Sequence, residues 1–170
     1  MASDWPTAPS RFGVVTFVRM IAGRQTEQFT TDSPEATERV AARVAERLRP
    51  GDFVLLAGEL GSGKTTFVRG AARALGVSGR VTSPTFAIGN VYDAADGEIA
   101  HLDLYRLDDI AVGDEAVLDD FLTPARIGFV EWPHAELADR PGLRARVQMA
   151  HAGGDARTIE VAWVEAEEAA

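Results

Sequence analysis

The chain carries one complete phosphate-binding motif, and its single lysine lies inside that motif. Residues 58–65 read Gly-Glu-Leu-Gly-Ser-Gly-Lys-Thr, which matches the pattern G-x-x-x-x-G-K-[ST]. The chain has 17 basic residues, and all of them except Lys64 are arginine. A compact ammonium group can reach between phosphate oxygens, whereas a planar guanidinium is a poor substitute there. A bias against lysine that spares this one position therefore predicts nucleotide binding.

Each part of the motif has an expected role. Backbone N–H groups of the loop would surround the phosphates, and the positive end of the following helix would attract them. The glycines allow close approaches that a Cβ would block. The hydroxyl of Thr65 is expected to contact Mg²⁺, and that of Thr66 the α-phosphate. The candidate nucleotide-binding residues of the motif are Glu59, Leu60, Gly61, Ser62, Gly63, Lys64, Thr65, Thr66 and Phe67.

Two acidic residues stand at the ends of apolar runs. Asp103 ends Ile-Ala-His-Leu-Asp, and Glu131 ends Ile-Gly-Phe-Val-Glu. Open α/β sheets bind ligands at the carboxyl ends of their strands, and a nucleotide site needs a carboxylate to hold the metal. We therefore take both acids as candidate metal ligands, and both, with Lys64, as candidate catalytic residues. Either acid would polarise the attacking water, directly or by placing the metal; the plainer alternative for each is a strand-end acid in solvent.

Further candidate residues follow the loop helix and the second acid. Ser83, Pro84 and Thr85 form a short polar turn, placed where a first switch segment would sense the γ-phosphate. An ordinary Ser-Pro turn explains them equally well. Trp132 and His134 follow Glu131 and are candidates to border the nucleotide, although an aromatic residue there also fits core packing.

The elements that would position these residues begin with a helix. Asp32 or Ser33 is its expected N-cap, Pro34 its first residue, and the apolar spacing continues to Leu48, before Gly51. Residues 53–57 form an apolar run typical of a strand buried on both faces. A helix over residues 64–75, ending at Gly76, then completes the strand–loop–helix unit that the motif requires.

The rest of the chain predicts mostly strands. Residues 12–21 are predicted as an edge strand, and residues 25–31 and 81–83 as short strands. Residues 85–92 and 99–105 are predicted to pair as a hairpin across Asp96-Gly97. Residues 127–132 form a further strand, and residues 143–150 and 158–164 a closing hairpin around Gly153-Gly154. Residues 108–122 favour one or two short helices, and residues 165–170 a frayed end. The predicted fold is an α/β, P-loop NTPase-like three-layer fold, with a mostly parallel central sheet, antiparallel edge strands and flanking helices.

Composition restricts the class of protein. With 170 residues and 46% hydrophobic content, we expect one domain over residues 1–170, with residues 1–13 as a flexible lead-in. A net charge of −9 disfavours direct binding of nucleic acid. The absence of cysteine excludes disulfides and thiolate chemistry. The sequence shows neither a membrane span nor a signal peptide, so we expect a cytoplasmic protein.

Four ordered segments are similar to the TsaE family, the bacterial ATPases of tRNA threonylcarbamoyladenosine biosynthesis. They are residues 56–70, 83–86, 101–107 and 130–133. The resemblance implies an ATP- and Mg²⁺-dependent ATPase that acts with the TsaD and TsaB proteins, which modify an adenosine beside the tRNA anticodon. It implies that tRNA is met only indirectly, through that complex.

The resemblance also implies roles for individual residues. Thr65 and Glu131 match magnesium contacts, Asp103 is the acid of the second motif, Thr85 lies in the switch-like segment, and Trp132 lies near the nucleotide. We expect slow turnover by the chain alone, because the sequence offers no obvious water-activating glutamine or arginine finger, and Arg106 is the best internal candidate for a finger.

Two other classes of protein remain alternatives. A small-molecule P-loop kinase would need an acceptor pocket and an arginine-bearing lid, for which Arg140, Arg144 and Arg146 are the available candidates. A nucleotide-loaded switch would recruit a partner in its ATP state without requiring hydrolysis.

Overall fold

The computed structural model describes residues 14–21, 24–84, 87–105 and 115–164. The helices are α1 (Pro34–Ala45), α2 (Lys64–Ala74), α3 (Glu115–Phe121) and a short 3-10 helix (Ala135–Asp139). The strands are β1 (Val14–Ile21), β2 (Arg24–Thr31), β3 (Phe53–Gly58), β4 (Gly89–Ala94), β5 (Gly97–Asp103), β6 (Arg126–Glu131), β7 (Leu143–His151) and β8 (Arg157–Trp163). The predictions for the lead-in, for Thr85, for Arg106 and for the acidic end lie outside the described residues.

All eight strands form one mixed sheet in the order β1-β2-β8-β7-β3-β6-β5-β4. The pairs β7/β3, β3/β6 and β6/β5 are parallel, and the outer pairs on both sides are antiparallel. The predicted parallel centre with antiparallel edges is therefore confirmed. β3 lies inside this parallel part, where both of its faces are covered, which explains its uninterrupted apolar sequence.

Two hydrophobic clusters cover the two faces of the sheet. On one face, Val54 and Leu56 of β3 pack with Val40 of α1 and Phe67 of α2. On the other face, alternate residues of the same strand pack with α3 and with the 3-10 helix. Helices therefore cover both faces, and the predicted three-layer arrangement is confirmed.

The first helix begins as predicted but ends earlier. Ser33 is the N-cap, and its side-chain oxygen accepts a hydrogen bond from the N–H of Ala36 at 3.2 Å. The prediction that the helix reaches Leu48 is wrong, because α1 ends at Ala45. The chain tightens there into a turn in which the N–H of Leu48 bonds to the carbonyl of Ala45 at 3.0 Å. Leu48 is still buried, so its apolar character reflects the core and not a continued helix.

Several strand boundaries also differ from prediction. Residues 81–84 are not in a strand, and the first strand of the hairpin begins at Gly89 instead of residue 85. β6 ends at Glu131, one residue before the predicted end, because Trp132 adopts a positive φ of 56° that no strand accommodates. The 3-10 helix that follows was not predicted, since its five residues are too short for a helical period.

The close approach of α1 to α2 at Gly70 yields a test of the packing. A Cβ added at Gly70 would lie 2.5 Å from the Cα of Glu38 and 2.6 Å from its carbonyl oxygen. We expect Gly70→Ala to destabilise the protein by about 1–3 kcal/mol, because overpacking against backbone outweighs the better helix propensity of alanine. Urea unfolding measures the change.

Gly79→Ala is the matched control for this test. A Cβ at Gly79 has no neighbour within 4 Å, so the free energy of unfolding should stay within about 0.5 kcal/mol of the unsubstituted protein. Equal stability of the Gly70 and Gly79 variants would contradict the described packing of the two helices.

Candidate nucleotide-binding site

The phosphate loop joins the carboxyl end of β3 to the start of α2, as the motif requires. Gly58 has φ 148°, and a Cβ there would lie 2.3 Å from the carbonyl oxygen of Met149, so only glycine fits. Gly63 is the N-cap of α2 with φ 99°, and it supplies no side-chain hydrogen bond to the helix. The first N–H groups of α2 therefore remain available to an anion.

The ammonium group of Lys64 is folded back onto its own loop. Its Nζ donates to the carbonyl oxygens of Gly58 at 2.8 Å and Glu59 at 2.9 Å. The Trp132 ring lies 3.9 Å from the same nitrogen, within cation–π distance. Burial lowers the pKa of Lys64 below its usual 10.5, while the carboxylates of Glu131 and Asp103 act in the opposite direction. To reach a phosphate, Lys64 must exchange these contacts for new ones.

Glu131 connects the loop helix to the sheet. Its Oε1 accepts a hydrogen bond from the Thr65 hydroxyl at 2.9 Å and lies 2.8 Å from Nε2 of His101. Glu131 is only 3% exposed, so the alternative of a strand-end acid in solvent does not apply. The parallel register of β5 and β6 pairs Asp103 with Glu131, which brings the two predicted acids to the same edge of the sheet.

Asp103 connects the site to the polar turn after α2. Its Oδ2 accepts from the Ser83 hydroxyl at 2.7 Å, and its Oδ1 accepts from the N–H of Tyr105 at 3.1 Å. Pro84 follows Ser83 and is half-buried. The Ser83 side of the predicted switch segment therefore contacts an acid of the site, while Thr85 lies outside the described residues.

A cavity of about 390 Å³ brings most of the predicted residues together. Its lining combines the loop, the start of α2, the polar turn, both acids and two aromatic residues. These are Leu60, Gly61, Gly63, Lys64, Thr65, Thr66, Ser83, Asp103, Tyr105, Glu131 and Trp132.

A second, open cavity of about 630 Å³ also has Tyr105 and Trp132 in its lining. Glu59 and His134 line this second cavity and not the first. Two further predicted residues lie inside the protein. The Phe67 side chain is 0% exposed in the core, and Ser62 is buried with its hydroxyl 3.5 Å from Nζ of Lys64.

The sequence did not single out two residues of the site, His101 and Tyr105. Strand alternation puts both on the same face as Asp103, but nothing in the sequence identified Glu131 as a neighbour of that face. The His101 side chain is 0% exposed, so it lies inside the protein and not on a solvated strand face. Tyr105 lies beyond β5, is 50% exposed, and has its ring centre 4.8 Å from that of Trp132.

Trp132 has an unusual backbone conformation at the end of β6. It has the positive φ of 56°, and its N–H donates to the carbonyl of Leu56 at 3.1 Å. A bulky residue in this region carries strain of about 1–3 kcal/mol, and such strain is concentrated at functional sites. The contacts of its ring with Lys64 and Tyr105 are favourable interactions that can offset part of this strain.

The described residues contain no group of three or more His, Cys, Asp or Glu side chains arranged to hold a metal alone. The site instead places the oxygen of Thr65 beside that of Glu131. Oxygen donors suit Mg²⁺, which is usually bound by one or two protein groups together with substrate phosphates and water. The donor set therefore fits a magnesium ion that arrives with a nucleotide.

A sheet with a parallel centre, a glycine-rich loop between β3 and α2, and acids at the ends of neighbouring strands together define a P-loop NTPase-like α/β protein. Residues 31–159 match the model of the family described as "Threonylcarbamoyl adenosine biosynthesis protein TsaE". The chain belongs to the TsaE family.

Individual relatives agree with this assignment. The TsaE protein of Bacillus subtilis (strain 168) is 36% identical over 132 residues, which cover 78% of this chain and 82% of that protein. The TsaE protein of Streptomyces coelicolor is 42% identical over 116 residues, covering 66% of this chain and 78% of the relative. The crystal structure of Bacillus subtilis YdiB is similar with a TM-score of 0.67 and 31% identity, over 84% of this chain and 88% of that one.

Within the described residues, no helix is both long and apolar enough to cross a membrane.

The contact between Trp132 and Lys64 predicts a fluorescence signal. A phosphate that draws the ammonium group away from the ring changes the surroundings of the indole, so adding ATP or ADP should alter tryptophan emission. We expect Trp132→Phe to abolish this change. Trp163→Phe should preserve it, because the Trp163 ring contacts Arg47 at 3.6 Å and lines neither cavity. A nucleotide response that survives in Trp132→Phe would contradict the assignment; equilibrium dialysis verifies binding in each variant.

Proposed function

We propose that this chain is a magnesium-dependent ATPase of tRNA threonylcarbamoyladenosine formation, and that it works with the TsaD and TsaB proteins. Membership of the TsaE family supports the pathway. The observation that carries the ATPase assignment is the hydrogen bond of 2.9 Å between the Thr65 hydroxyl and Glu131. P-loop NTPases hold Mg²⁺ with these two groups, a loop hydroxyl and a strand-end acid.

The loop residues account for ATP binding. Backbone N–H groups at the start of α2 receive the phosphates, and Lys64 leaves the carbonyls of Gly58 and Glu59 to neutralise charge on the γ-phosphate. Thr65 and Glu131 would hold Mg²⁺, which stabilises the charge that develops on the phosphate oxygens. Because Lys64 already has partners, this exchange of contacts accompanies nucleotide binding.

The sequence left open which acid binds the metal and which positions the attacking water, and we assign one role to each. Glu131 is buried and hydrogen-bonded to the metal-side hydroxyl, so we assign it to the metal. Asp103 is more exposed and is held by Ser83 and by the backbone of Tyr105. We assign Asp103 to orienting the attacking water, in the place where the polar turn reaches the cavity.

Partner dependence follows from charge. No arginine of the described residues lines the 390 Å³ cavity, and a guanidinium is the group that accelerates many P-loop enzymes. Turnover by the chain alone should therefore be slow, and a partner would complete the site. The net charge of −9 supports contact with tRNA through partners in the cytoplasm, and not through a basic face of this chain.

A small-molecule kinase is the second candidate. The 630 Å³ cavity lies beside the phosphate site, where an acceptor would bind, and the two cavities share Trp132. ATP consumption that depends on an added small-molecule acceptor, and not on TsaD and TsaB, would favour this candidate.

The first test measures ATP hydrolysis by the purified chain, alone and with TsaD and TsaB added. We expect slow turnover that the partners stimulate. Lys64→Ala should lower the stimulated rate by about 10²-fold or more, the usual effect of removing a group that stabilises transition-state charge. Arg80→Ala, which removes a positive charge at an exposed position, is the control and should keep the rate. Turnover retained in Lys64→Ala would refute the site.

The second test separates the two acids. We expect Glu131→Gln to remove most of the gain in nucleotide affinity that Mg²⁺ provides, since the amide ligates the metal poorly. We expect Asp103→Asn to bind magnesium nucleotide normally and to lose turnover. Calorimetric titration with and without Mg²⁺, combined with hydrolysis rates, measures both effects; the reverse pattern would exchange the assignments. If a variant that binds but does not hydrolyse still supports tRNA modification, the chain acts as a nucleotide-loaded switch.

A further inference from the structure

His101 is a fully buried polar residue among apolar neighbours. It lies in the middle of β5 with 0% exposure, and the same face carries Ile99, Ile127 and Phe129 in the hydrophobic cluster. Its register partner on β6 is Phe129, two residues before Glu131. An imidazole in such a place costs free energy unless hydrogen bonds compensate for the lost water.

The hydrogen bonding of the ring is one-sided. Nε2 lies 2.8 Å from Oε1 of Glu131. Nδ1 is buried and has no partner among the described residues. An ionised carboxylate only accepts, so a neutral ring that bonds to it carries its proton on Nε2. The lone pair of Nδ1 then has no donor among the described residues. Burial of Nδ1 without a partner costs free energy, and this arrangement places the donor Nε2 against Glu131.

A purely structural role does not explain this arrangement. An apolar side chain at position 101 would match its neighbours and would leave no buried nitrogen without a partner. The benefit of the histidine lies at Glu131, because Oε1 of this carboxylate receives a second hydrogen-bond donor in addition to the Thr65 hydroxyl at 2.9 Å. Two donors on one oxygen fix the orientation of the carboxylate in a way that either donor alone does not.

We propose that His101 is a positioning residue, which donates through Nε2 to Glu131 and holds this carboxylate in the orientation that receives Mg²⁺ with the nucleotide. The proposal rests on the proposed function only in taking Glu131 as the metal-side acid. Outer partners of metal ligands act in this way, and their loss commonly lowers metal affinity by about 10–100-fold.

Two amide substitutions test the position of the donor. In His101→Gln the amide nitrogen can occupy the place of Nε2, whereas in His101→Asn it occupies the place of Nδ1, away from Glu131. Both variants bury one amide, so they differ mainly in where the donor lies. The measurement is the affinity for ADP in EDTA and in saturating Mg²⁺, and the readout is the ratio of the two dissociation constants.

In His101→Asn we expect the dissociation constant in EDTA to stay nearly unchanged and the one in Mg²⁺ to rise, so that the ratio of the two falls by about 10-fold or more. In His101→Gln we expect this magnesium ratio to be close to that of the unsubstituted protein. His101→Leu, which lacks a donor and suits the core, should behave like His101→Asn and serves if the asparagine variant does not fold. Ile99→Val is the matched control on the same face of β5. It should lower the melting temperature without changing the magnesium ratio.

The proposal is overturned if His101→Asn and His101→Leu keep the full magnesium ratio, or if His101→Gln is as impaired as His101→Asn. It is also overturned if affinity falls equally in EDTA, or if the unsubstituted protein gains no affinity from Mg²⁺. Failure of the proposed function is a separate result, since it requires that no ATP is hydrolysed with or without TsaD and TsaB, whereas the magnesium ratio is a binding measurement.

Discussion

The site depends on one carboxylate oxygen where three elements of the fold meet. Oε1 of Glu131, at the end of β6, is within hydrogen-bond distance of Thr65 in the first turn of α2 and of His101 on β5. These contacts require that β6 pairs in parallel register with both β3 and β5. A slip of one residue would turn the side chain of Glu131 to the opposite face of the sheet, away from α2. The parallel centre of the sheet is therefore the condition for the site.

Much of this arrangement could be predicted because it depends on local residue types. The glycine pattern with Lys64 identified the loop, and two apolar runs ending in Asp103 and Glu131 identified the strand ends beside it. Asp103 and Glu131 meet because parallel strands present their carboxyl ends at one edge. These features follow from short stretches of sequence, without knowledge of the strand order.

The features that escaped prediction depend on contacts between distant segments. The role of His101 is visible only once β5 and β6 are known to be neighbours, since alternation alone cannot separate a buried polar residue from an exposed one. The positive φ of Trp132 has no local signal, and the contacts of its ring and of its N–H are with residues of other segments. Phe67 adjoins the motif in sequence, but its side chain packs into the core, which the motif alone does not reveal.

Trp132, with its strained backbone, lies between the phosphate loop and the open 630 Å³ cavity. A positive φ at a bulky residue costs about 1–3 kcal/mol, which is comparable with a cation–π contact of about 0.5–2 kcal/mol and an aromatic pair of about 0.5–1.5 kcal/mol. The conformation is therefore close to balanced while Lys64 lies against the ring. Under the proposed function, a phosphate that drew Lys64 away would leave the Tyr105 contact as the remaining offset to this strain. Trp132 also lines the open 630 Å³ cavity together with Pro133 and His134. An exchange of the Lys64 contacts would therefore act on a residue that belongs to both cavities.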